Sequence, residues 1–538
     1  MSHWNFAEAI YLLGQSDSGE RTAIMHEDTV LSYAELSRRA QAIASWLATL
    51  GLPAGSHVGH YMRNSNAYME AFTGASLAGM AHINVNYRYL DEELVDLCNG
   101  LDIRVLVYDT EFAGRVAAIH QQLTATVAFV EVGSQVPAND FAISLASLYA
   151  REVGDFQRST SSDDLILIAT GGTTGLPKGT QWRHEDLWRK LNVSMGAAMM
   201  ALDLKEHPAT IDEHVANVLS LPEPPGFLSL SPLMHGAGLM MALAMIAQGV
   251  PLVTVGGTRF APDAVLDVIR KHKIGGLVLV GDAFALPLLE SLERRRDENL
   301  LQSLALLVSS GASLGTQSKA ALLTHQPNLI VLDTLGSSEA SGYAMSTPEA
   351  GVFRPMPTTR VLDDEGNDVV PGSDTIGIAY SGGYLPIGYY NEPEKSAETF
   401  VTIDGTRYVM TGDRCTVRGD GMLVLLGRDS TVINTGGEKV YTVEVERILI
   451  DHPAIADALV VGLPHPRFGK MVVAVVEGPG LTPATLDEED IKAHMREHLA
   501  DYKVPRHIFA IESLQRAANG KPDYQFITTY AEASLDGR

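Results

Sequence analysis

Cysteine is scarce in this sequence. The 538 residues contain only Cys98 and Cys415, which are far apart and lack the spacing of a metal-binding pair. A chain without a disulfide framework fits a reducing compartment, and we expect a cytoplasmic protein. The N-terminal stretch MSHWNFAEAIYLL also lacks the basic region and small-residue cleavage site of a secretory signal.

Basic side chains are outnumbered as well. Lysine and arginine total 40 against 65 acidic residues, which gives a formal net charge of −25. This balance argues against nucleic acid or an anionic membrane as the main partner. A site for an anionic ligand must therefore be locally positive, although the protein as a whole is negatively charged.

Long apolar runs are missing too. The most apolar segment, GLMMALAMIAQGVPLVTV from Gly238, is interrupted by Gln248, Gly249 and Pro251. A membrane span needs about twenty unbroken apolar residues. We therefore predict a buried helix followed by a strand, and no stable membrane insertion.

What the sequence does have is a regular alternation of strands and helices. Short apolar strands are predicted at Leu252–Val255, Leu277–Val280, Leu304–Val308 and Leu329–Leu332, with helical segments between them. Such alternation favours a parallel sheet, whose ligands bind beyond the carboxyl ends of the strands.

Two other regions have their own patterns. Near the N-terminus, Ser32 and Glu35 form a predicted capping box for a helix that stops at Gly51. Residues 360–428 contain the turn signals Asp364-Glu365-Gly366 and Gly419-Asp420-Gly421 between alternating strands, which predicts antiparallel hairpins. After Gly427, helices and strands mix in a smaller unit.

The stretch DLILIATGGTTGLPKGTQW, residues 164–182, is the strongest functional signal. An apolar strand is predicted to stop at Thr170, and a loop rich in glycine and threonine follows, ending at Lys178. Glycines let several backbone N–H groups point into one anion-binding concavity, and a lysine adds charge. We predict a polyphosphate site, although the spacing is not that of a Walker A loop.

This stretch resembles the phosphate loop of the adenylate-forming superfamily, which includes acyl-CoA synthetases, luciferases and nonribosomal adenylation domains. Five further motifs occur in the family's order: PLMHGAG (232–238), LGSSE (335–339), YVMTGD (408–413), GRDSTVINTGGEKVYTVEVE (427–446) and NGKPDY (519–524). VGDAFALPLL and GRDSTVINTGGEKV are similar to an actinobacterial branch that activates steroid side-chain acids and other polycyclic or terpenoid carboxylic acids.

The resemblance implies an α/β fold in two domains. Residues 1–429 would form a large N-terminal domain of βα-alternating sheets, with a small β-barrel-like subdomain at about 360–428. Residues 430–538 would form a small mobile α+β domain. The implied reaction joins a carboxylic acid to AMP, using ATP and Mg²⁺, and then transfers the acyl group to coenzyme A. A homodimer is compatible with the sequence, which does not set the oligomeric state.

The resemblance also implies residue roles. Lys521 would bridge the carboxylate and the α-phosphate, Lys178 would hold phosphate, and Glu339 would bind Mg²⁺. The other implied ATP or AMP contacts are Thr170, Gly171, Gly172, Thr173, Thr174, Gly175, Gly311, Ala312, Asp333, Ser338, Asp413 and Arg428. The acyl pocket would include His235, Gly281, Asp282 and Gly336, the coenzyme A channel Gly436 and Gly437, and the hinge Ser430. Trp182 is implied by the branch likeness alone.

Three departures from the family pattern leave an alternative open. Leu335 stands in place of an aromatic residue that stacks on adenine, Ser430 in place of Asp or Lys, and Thr442 in place of a frequent proline. An enzyme specialised for one half-reaction, thioesterification of a supplied adenylate, fits these departures. A hydrolase is the remote alternative, because GASLG (311–315) matches the G-x-S-x-G motif with Ser313 as nucleophile.

Overall fold

The computed structural model describes residues 4–172, 175–200, 208–311, 314–349, 351–428, 431–435, 438–465, 469–517, 520 and 522–536. The chain divides into two compact units. Unit 1 comprises Met1–Gly342 and Gly382–Val409, and unit 2 comprises Tyr343–Ser381 and Met410–Arg538. Within the described ranges, no helix combines the length and apolarity needed to cross a bilayer.

The α-helices among these residues are listed here in chain order: α1 Phe6–Gln15, α2 Tyr33–Ala48, α3 Asn66–Leu77, α4 Asp91–Gly100, α5 Ala113–Ile119, α6 Leu145–Tyr149, α7 His184–Met200, α8 Ile211–Ser220, α9 Gly236–Ala247, α10 Pro262–Lys271, α11 Gly281–Arg294, α12 Thr316–His325, α13 Pro393–Thr399, α14 Thr442–Ile450, α15 Glu488–Arg496 and α16 Tyr524–Asp536.

The strands are β1 Thr22–His26, β2 Thr29–Ser32, β3 His57–Tyr61, β4 Ala81–Asn84, β5 Ile103–Asp109, β6 Ala128–Val132, β7 Ala142–Ser144, β8 Leu165–Gly172, β9 Gly175–Arg183, β10 Phe227–Ser229, β11 Leu252–Thr254, β12 Gly276–Leu279, β13 Leu306–Ser310, β14 Ile330–Ser337, β15 Ser341–Ser346, β16 Val352–Pro355, β17 Thr359–Leu362, β18 Gly377–Ser381, β19 Gly388–Tyr389, β20 Phe400–Ile403, β21 Thr406–Val417, β22 Leu423–Arg428, β23 Ile433–Thr435, β24 Glu438–Val440, β25 Asp457–His465, β26 Gly469–Glu477 and β27 His507–Ala510.

Unit 1 contains two largely parallel sheets. In the first, the strand order β14-β13-β12-β10-β11-β1 is parallel throughout, and β2 is added antiparallel to β1. In the second, β8-β4-β3-β5-β6-β7 are parallel, and β9 and β19 continue the sheet in antiparallel pairs. Every residue of β3, β4 and β12 is buried, as expected for parallel strands covered on both faces.

The predicted alternation between residues 250 and 340 is confirmed, and so is the helix of the apolar segment from Gly238, which lies in α9 before β11. The capping box is half formed. The Ser32 hydroxyl accepts a hydrogen bond from the Glu35 N–H at 3.2 Å, but the Glu35 carboxylate pairs with Arg38 and Arg39. A charged partner holds a carboxylate more strongly than the backbone N–H does.

Unit 2 contains one antiparallel and one mixed sheet. Strand β16 pairs antiparallel with β15 and β22, β21 pairs with β22, and β17 pairs with β18, which confirms the predicted hairpins. Gly366 and Gly421 have φ of +85° and +80° at their turns, where glycine is favoured. The second sheet has the order β24-β23-β26-β25, and β27 pairs parallel with β26.

The compact units group residues 343–381 with the C-terminal segment, whereas the family motifs place a boundary at 429/430. That boundary, and the mobility of residues 430–538, stay predictions.

Candidate active site

The glycine-rich stretch forms a hairpin. Strand β8 continues past Thr170 to Gly172, and β9 begins at Gly175, so that Thr170 lies opposite Lys178 and Gly172 opposite Gly175. The prediction that the strand stops at Thr170 is therefore wrong, because antiparallel pairing with β9 keeps the glycines extended. Thr173 and Thr174, between the strands, lie outside the described residues.

A buried asparagine that the sequence did not single out fixes the base of this hairpin. The Asn84 side chain accepts from the Ala169 N–H at 2.8 Å and donates to the Ala169 carbonyl at 3.2 Å. The same side chain donates to the carbonyl of Met234 in the PLMHGAG motif. Asn84 is the last residue of β4 and is 2% exposed. It therefore ties two motifs together.

Lys178 and Glu339 are linked through a residue that sequence reasoning also missed. The Tyr389 hydroxyl donates a hydrogen bond to Glu339 Oε1 at 3.0 Å. The Lys178 Nζ lies 4.9 Å from the centroid of the Tyr389 ring, in cation–π geometry. Strand β19 places Tyr389 opposite Thr180 of β9. The predicted phosphate lysine and metal carboxylate thus share one tyrosine, which lies in GYYNEPE, a stretch outside the predicted motifs.

Trp182 anchors the second strand of the hairpin to the LGSSE motif. Its indole is fully buried, and Nε1 donates to the Ser338 carbonyl at 2.8 Å. A Cβ added to Gly236 would lie 3.3 Å from Ser338 Oγ and 3.6 Å from Ile168 of β8. The hairpin, the LGSSE motif and the start of α9 therefore meet in unit 1.

His235 and Gly336 have local backbone roles. His235 is the N-cap residue of α9, is partly exposed, and does not cap the helix with its side chain. A Cβ at Gly336 would lie 2.3 Å from the Ser341 carbonyl oxygen, so that only glycine allows this close backbone approach. The assignment of these two residues to an acyl pocket remains a prediction.

Asp333 lies inside β14, three residues beyond its start, and not at the end of a strand as predicted. The strand runs on to Ser337, because Thr334 still pairs with Ser310 of β13. The Asp333 carboxylate is 7% exposed and lies 3.1 Å from the Lys319 Nζ. Burial raises its pKa, and Lys319 opposes that effect. A buried acceptor of this kind suits the predicted adenine amino group.

Three more predicted residues follow the parallel strands β12 and β13. The Gly281 N–H donates to Ser309 Oγ at 3.3 Å, and the Asp282 carboxylate accepts from the Gly315 N–H at 3.0 Å. Gly311 has φ of +94°, which a residue with a side chain rarely adopts. Asp282 thus holds the start of α11 to the loop before α12, a structural role that the sequence did not indicate.

The predicted ribose residues lie in unit 2. The Tyr343 hydroxyl donates to Asp413 Oδ2, and both residues are buried, at 1% and 6% exposure. Arg428 is opposite Asp413 in the register of β21 and β22. Asp413 therefore has one carboxylate oxygen already oriented by a buried phenol.

The remaining predicted site residues lie outside the described residues. They are Lys521, Ala312, Gly436, Gly437 and Ser430, together with the alternative nucleophile Ser313.

Comparisons with known proteins agree with this geometry. The model for the AMP-binding enzyme family matches residues 15–390, and the model for the AMP-binding enzyme C-terminal domain matches residues 444–521. The chain therefore belongs to the AMP-binding enzymes of the adenylate-forming superfamily. Within that family it falls among the AMP-forming acid–thiol ligases, beside the actinobacterial branch that the motifs indicated.

Two curated relatives and one solved structure illustrate the match. A medium/long-chain-fatty-acid–CoA/3-oxocholest-4-en-26-oate–CoA ligase of Mycolicibacterium smegmatis is 38% identical over 95% of this chain and 94% of its own. A 3-oxocholest-4-en-26-oate–CoA ligase of Rhodococcus rhodochrous is 34% identical over 94% and 92%. The anthranilate CoA ligase AuaEII has a TM-score of 0.82 at 24% identity, covering 99% and 98%. This similarity confirms the fold.

Proposed function

We propose that this protein is an acyl-CoA ligase that activates a bulky carboxylic acid of the steroid or polycyclic type. In the first step an oxygen of the carboxylate attacks the α-phosphorus of ATP, and the bond to pyrophosphate breaks, which gives an acyl-AMP. In the second step the sulfur of coenzyme A attacks the acyl carbon, and AMP leaves. The observation that carries the proposal is the convergence of the glycine-rich hairpin, Lys178 and Glu339 in one unit.

Both steps bring anions together, so neutralising charge and fixing geometry account for most of the catalysis. Lys178 supplies a positive charge beside the hairpin, and the Tyr389 ring below it limits where that charge lies. The resemblance assigns Lys521 to the reacting carboxylate and α-phosphate, Asp413 and Arg428 to the ribose, and Asp333 to adenine.

The residues fit a magnesium ion bound together with nucleotide. Mg²⁺ prefers a carboxylate combined with water and phosphate oxygens, and Glu339 is linked to Lys178 of the hairpin through Tyr389. Over the ranges that the structure describes, no three His, Cys, Asp or Glu side chains form a metal site of their own. The ion would therefore take its other ligands from the phosphates and water, and would neutralise phosphate charge.

The names of the relatives and the glycine near Ser338 support a bulky acyl substrate. Two curated relatives are named for 3-oxocholest-4-en-26-oate, a steroid acid. Gly236 leaves open the space that a side chain would fill between Ile168 and Ser338. Medium-chain fatty acids and aryl acids are the next candidates, because the relatives include a medium-chain acyl-CoA ligase of Mycobacterium avium and a feruloyl-CoA synthase of an Amycolatopsis species.

The hydrolase alternative has no support beyond its motif. The AMP-binding family model covers the GASLG segment. The N–H of its last glycine, Gly315, donates a hydrogen bond to the Asp282 carboxylate, which gives this glycine a structural role that requires no nucleophile. The half-reaction alternative predicts acyl-CoA from supplied acyl-AMP but no pyrophosphate from acid and ATP.

One assay tests these possibilities together. Steroid, aryl and medium-chain acids are supplied with ATP, Mg²⁺ and coenzyme A, and pyrophosphate, AMP and acyl-CoA are each followed. The proposal expects all three products in equal amounts, with the steroid acid preferred. In Lys521→Ala, pyrophosphate formation should fall at least about a hundredfold, while transfer from premade acyl-AMP persists. Full-speed adenylation by Lys521→Ala would overturn the proposal.

A further inference from the structure

The segment that leads to Lys521 is attached to the small mixed sheet by two carboxylates. Glu477 Oε2 accepts from the Leu514 N–H at 2.6 Å. The Arg516 guanidinium donates two hydrogen bonds to Asp457, at 2.5 Å to Oδ2 and 2.8 Å to Oδ1. Asp457 and Glu477 lie opposite each other at the start of β25 and the end of β26. Both attachments therefore lie at one end of one strand pair.

Arg516 also contacts the residue immediately before Lys521. Its Nη1 donates to the Gly520 carbonyl at 3.3 Å. The Gly520 N–H donates to the Ala517 carbonyl at 2.7 Å, and Gly520 has φ of +68° in the left-handed region. The side chain of Arg516 thus joins Asp457 of the sheet to the Gly520 carbonyl.

Arginine suits these surroundings better than lysine does. The side chains of Arg516 and Asp457 are 24% and 22% exposed, so that water screens their attraction only in part. A third carboxylate, that of Glu446, accepts from the Val460 N–H at 2.9 Å; burial raises its pKa to about 7, and Arg516 opposes that shift. A lysine would keep the charge but lose the planar fork that reaches a carboxylate and a carbonyl at once.

We propose that Arg516 is a positioning residue for adenylation, which acts on Lys521 by holding the backbone of the preceding residue, Gly520. This inference rests on the proposed function, in which Lys521 acts on the reacting carboxylate. It predicts that loss of Arg516 impairs adenylation selectively. An ion pair that only stabilised the fold would lower both half-reactions together.

The test compares Arg516→Ala, Arg516→Lys and Asp457→Asn with the wild-type protein. Adenylation is measured by ATP–pyrophosphate exchange, and thioesterification by transfer to coenzyme A from chemically prepared acyl-AMP. We expect Arg516→Ala to lower the kcat of adenylation about tenfold or more with little change in the KM for ATP, and thioesterification by less than about twofold. For Arg516→Lys and Asp457→Asn, the kcat of adenylation should lie between those of the wild-type protein and Arg516→Ala.

Lys503→Ala is the matched control. Lys503 pairs with Glu444 at 2.8 Å, and the two side chains are 20% and 18% exposed, close to the values for Arg516 and Asp457. This variant should leave the ratio of the two half-reaction rates unchanged. Hydrogen exchange of the peptide that contains residues 514–520 should accelerate in Arg516→Ala and stay unchanged in Lys503→Ala.

Equal losses in both half-reactions, or no loss in either, would overturn the role of Arg516. If Arg516→Ala does not fold, Asp457→Asn must still show the selective loss. The proposed function fails separately, when Lys521→Ala adenylates at the wild-type rate. A slow Lys521→Ala with an unaffected Arg516→Ala would reject only the positioning role.

Discussion

The phenol of Tyr389 donates a hydrogen bond to Glu339 Oε1 at 3.0 Å, and its ring lies 4.9 Å from the Lys178 Nζ. One side chain thus orients the carboxylate proposed to bind Mg²⁺ and faces the lysine proposed to bind phosphate. Burial and the adjacent Glu339 carboxylate raise the pKa of Tyr389, so that the phenol keeps its proton and remains a donor.

Tyr389→Phe keeps the ring beneath Lys178 and removes only the bond to Glu339. Loss of such an outer hydrogen bond should raise the Mg²⁺ concentration for half-maximal adenylation about tenfold. Tyr390→Phe is the control, since the Tyr390 hydroxyl donates to a different carboxylate, Asp102, at 2.7 Å. Magnesium titrations that change equally in both variants would contradict a specific link between Tyr389 and Glu339.

Asp413 should recognise the ribose of ATP. Asp413→Ala removes an acceptor that Tyr343 orients, and should raise the KM for ATP about tenfold, as expected for a hydrogen bond to a charged group. The wild-type enzyme should also discriminate against 2′-deoxy-ATP or 3′-deoxy-ATP, and the variant should lose that discrimination. Undiminished discrimination by Asp413→Ala would place the ribose elsewhere.

Gly236 and Gly336 should respond differently to an added methyl group. In Gly336→Ala the Cβ would lie 2.3 Å from the Ser341 carbonyl oxygen, and the backbone shift should lower the free energy of unfolding by about 1–3 kcal/mol. In Gly236→Ala the nearest atom, Ser338 Oγ, is 3.3 Å away; because this atom ends a short side chain and is not backbone, the loss of stability should be smaller than in Gly336→Ala. In Gly236→Ala, the kcat/KM for bulky acids should fall relative to the kcat/KM for smaller acids. Unchanged acid preference would exclude Gly236 from the acyl pocket.

Three buried histidines should make stability depend on pH. His60, His82 and His184 are fully buried. Burial lowers the pKa of His60 to about 4 and that of His184 to about 3. Burial, with smaller contributions from His60 and His184, holds the pKa of His82 well below its ordinary value. Since each unfolded histidine titrates near about 6.5, the unfolded chain binds more protons below that pH, and stability from these groups is lost as pH falls toward 4.

His82→Leu removes one of these groups. Between about pH 7.5 and about pH 5.5, the free energy of unfolding of the wild-type protein should fall by about 1 kcal/mol more than that of the variant. Comparing the two proteins cancels the opposite contribution of buried carboxyls such as Asp109, whose pKa burial raises to about 7.

The sequence predicted the elements that have a local cause. Short branched runs bounded by turn residues became the parallel strands β11 to β14, and the turn glycines Gly366 and Gly421 lie where left-handed φ is required. The motif series predicted the family, because each motif carries a recognisable order of glycines, hydroxyls and charges. Strand ends were predicted less well: β8 and β14 run on through Gly172 and Ser337, since pairing with neighbouring strands outweighs the weak local signal of glycine and serine.

What the sequence determined by itself was the family and the α/β alternation, because these depend on residue types at fixed spacing. Only the tertiary structure revealed Asn84, Tyr389 and Arg516 as hydrogen-bond partners of Met234, Glu339 and Asp457. They are ordinary residues in ordinary stretches, and their roles come from hydrogen bonds across 150, 50 and 59 residues of chain. Such contacts depend on which strands the fold places side by side, and no local pattern in the sequence encodes that.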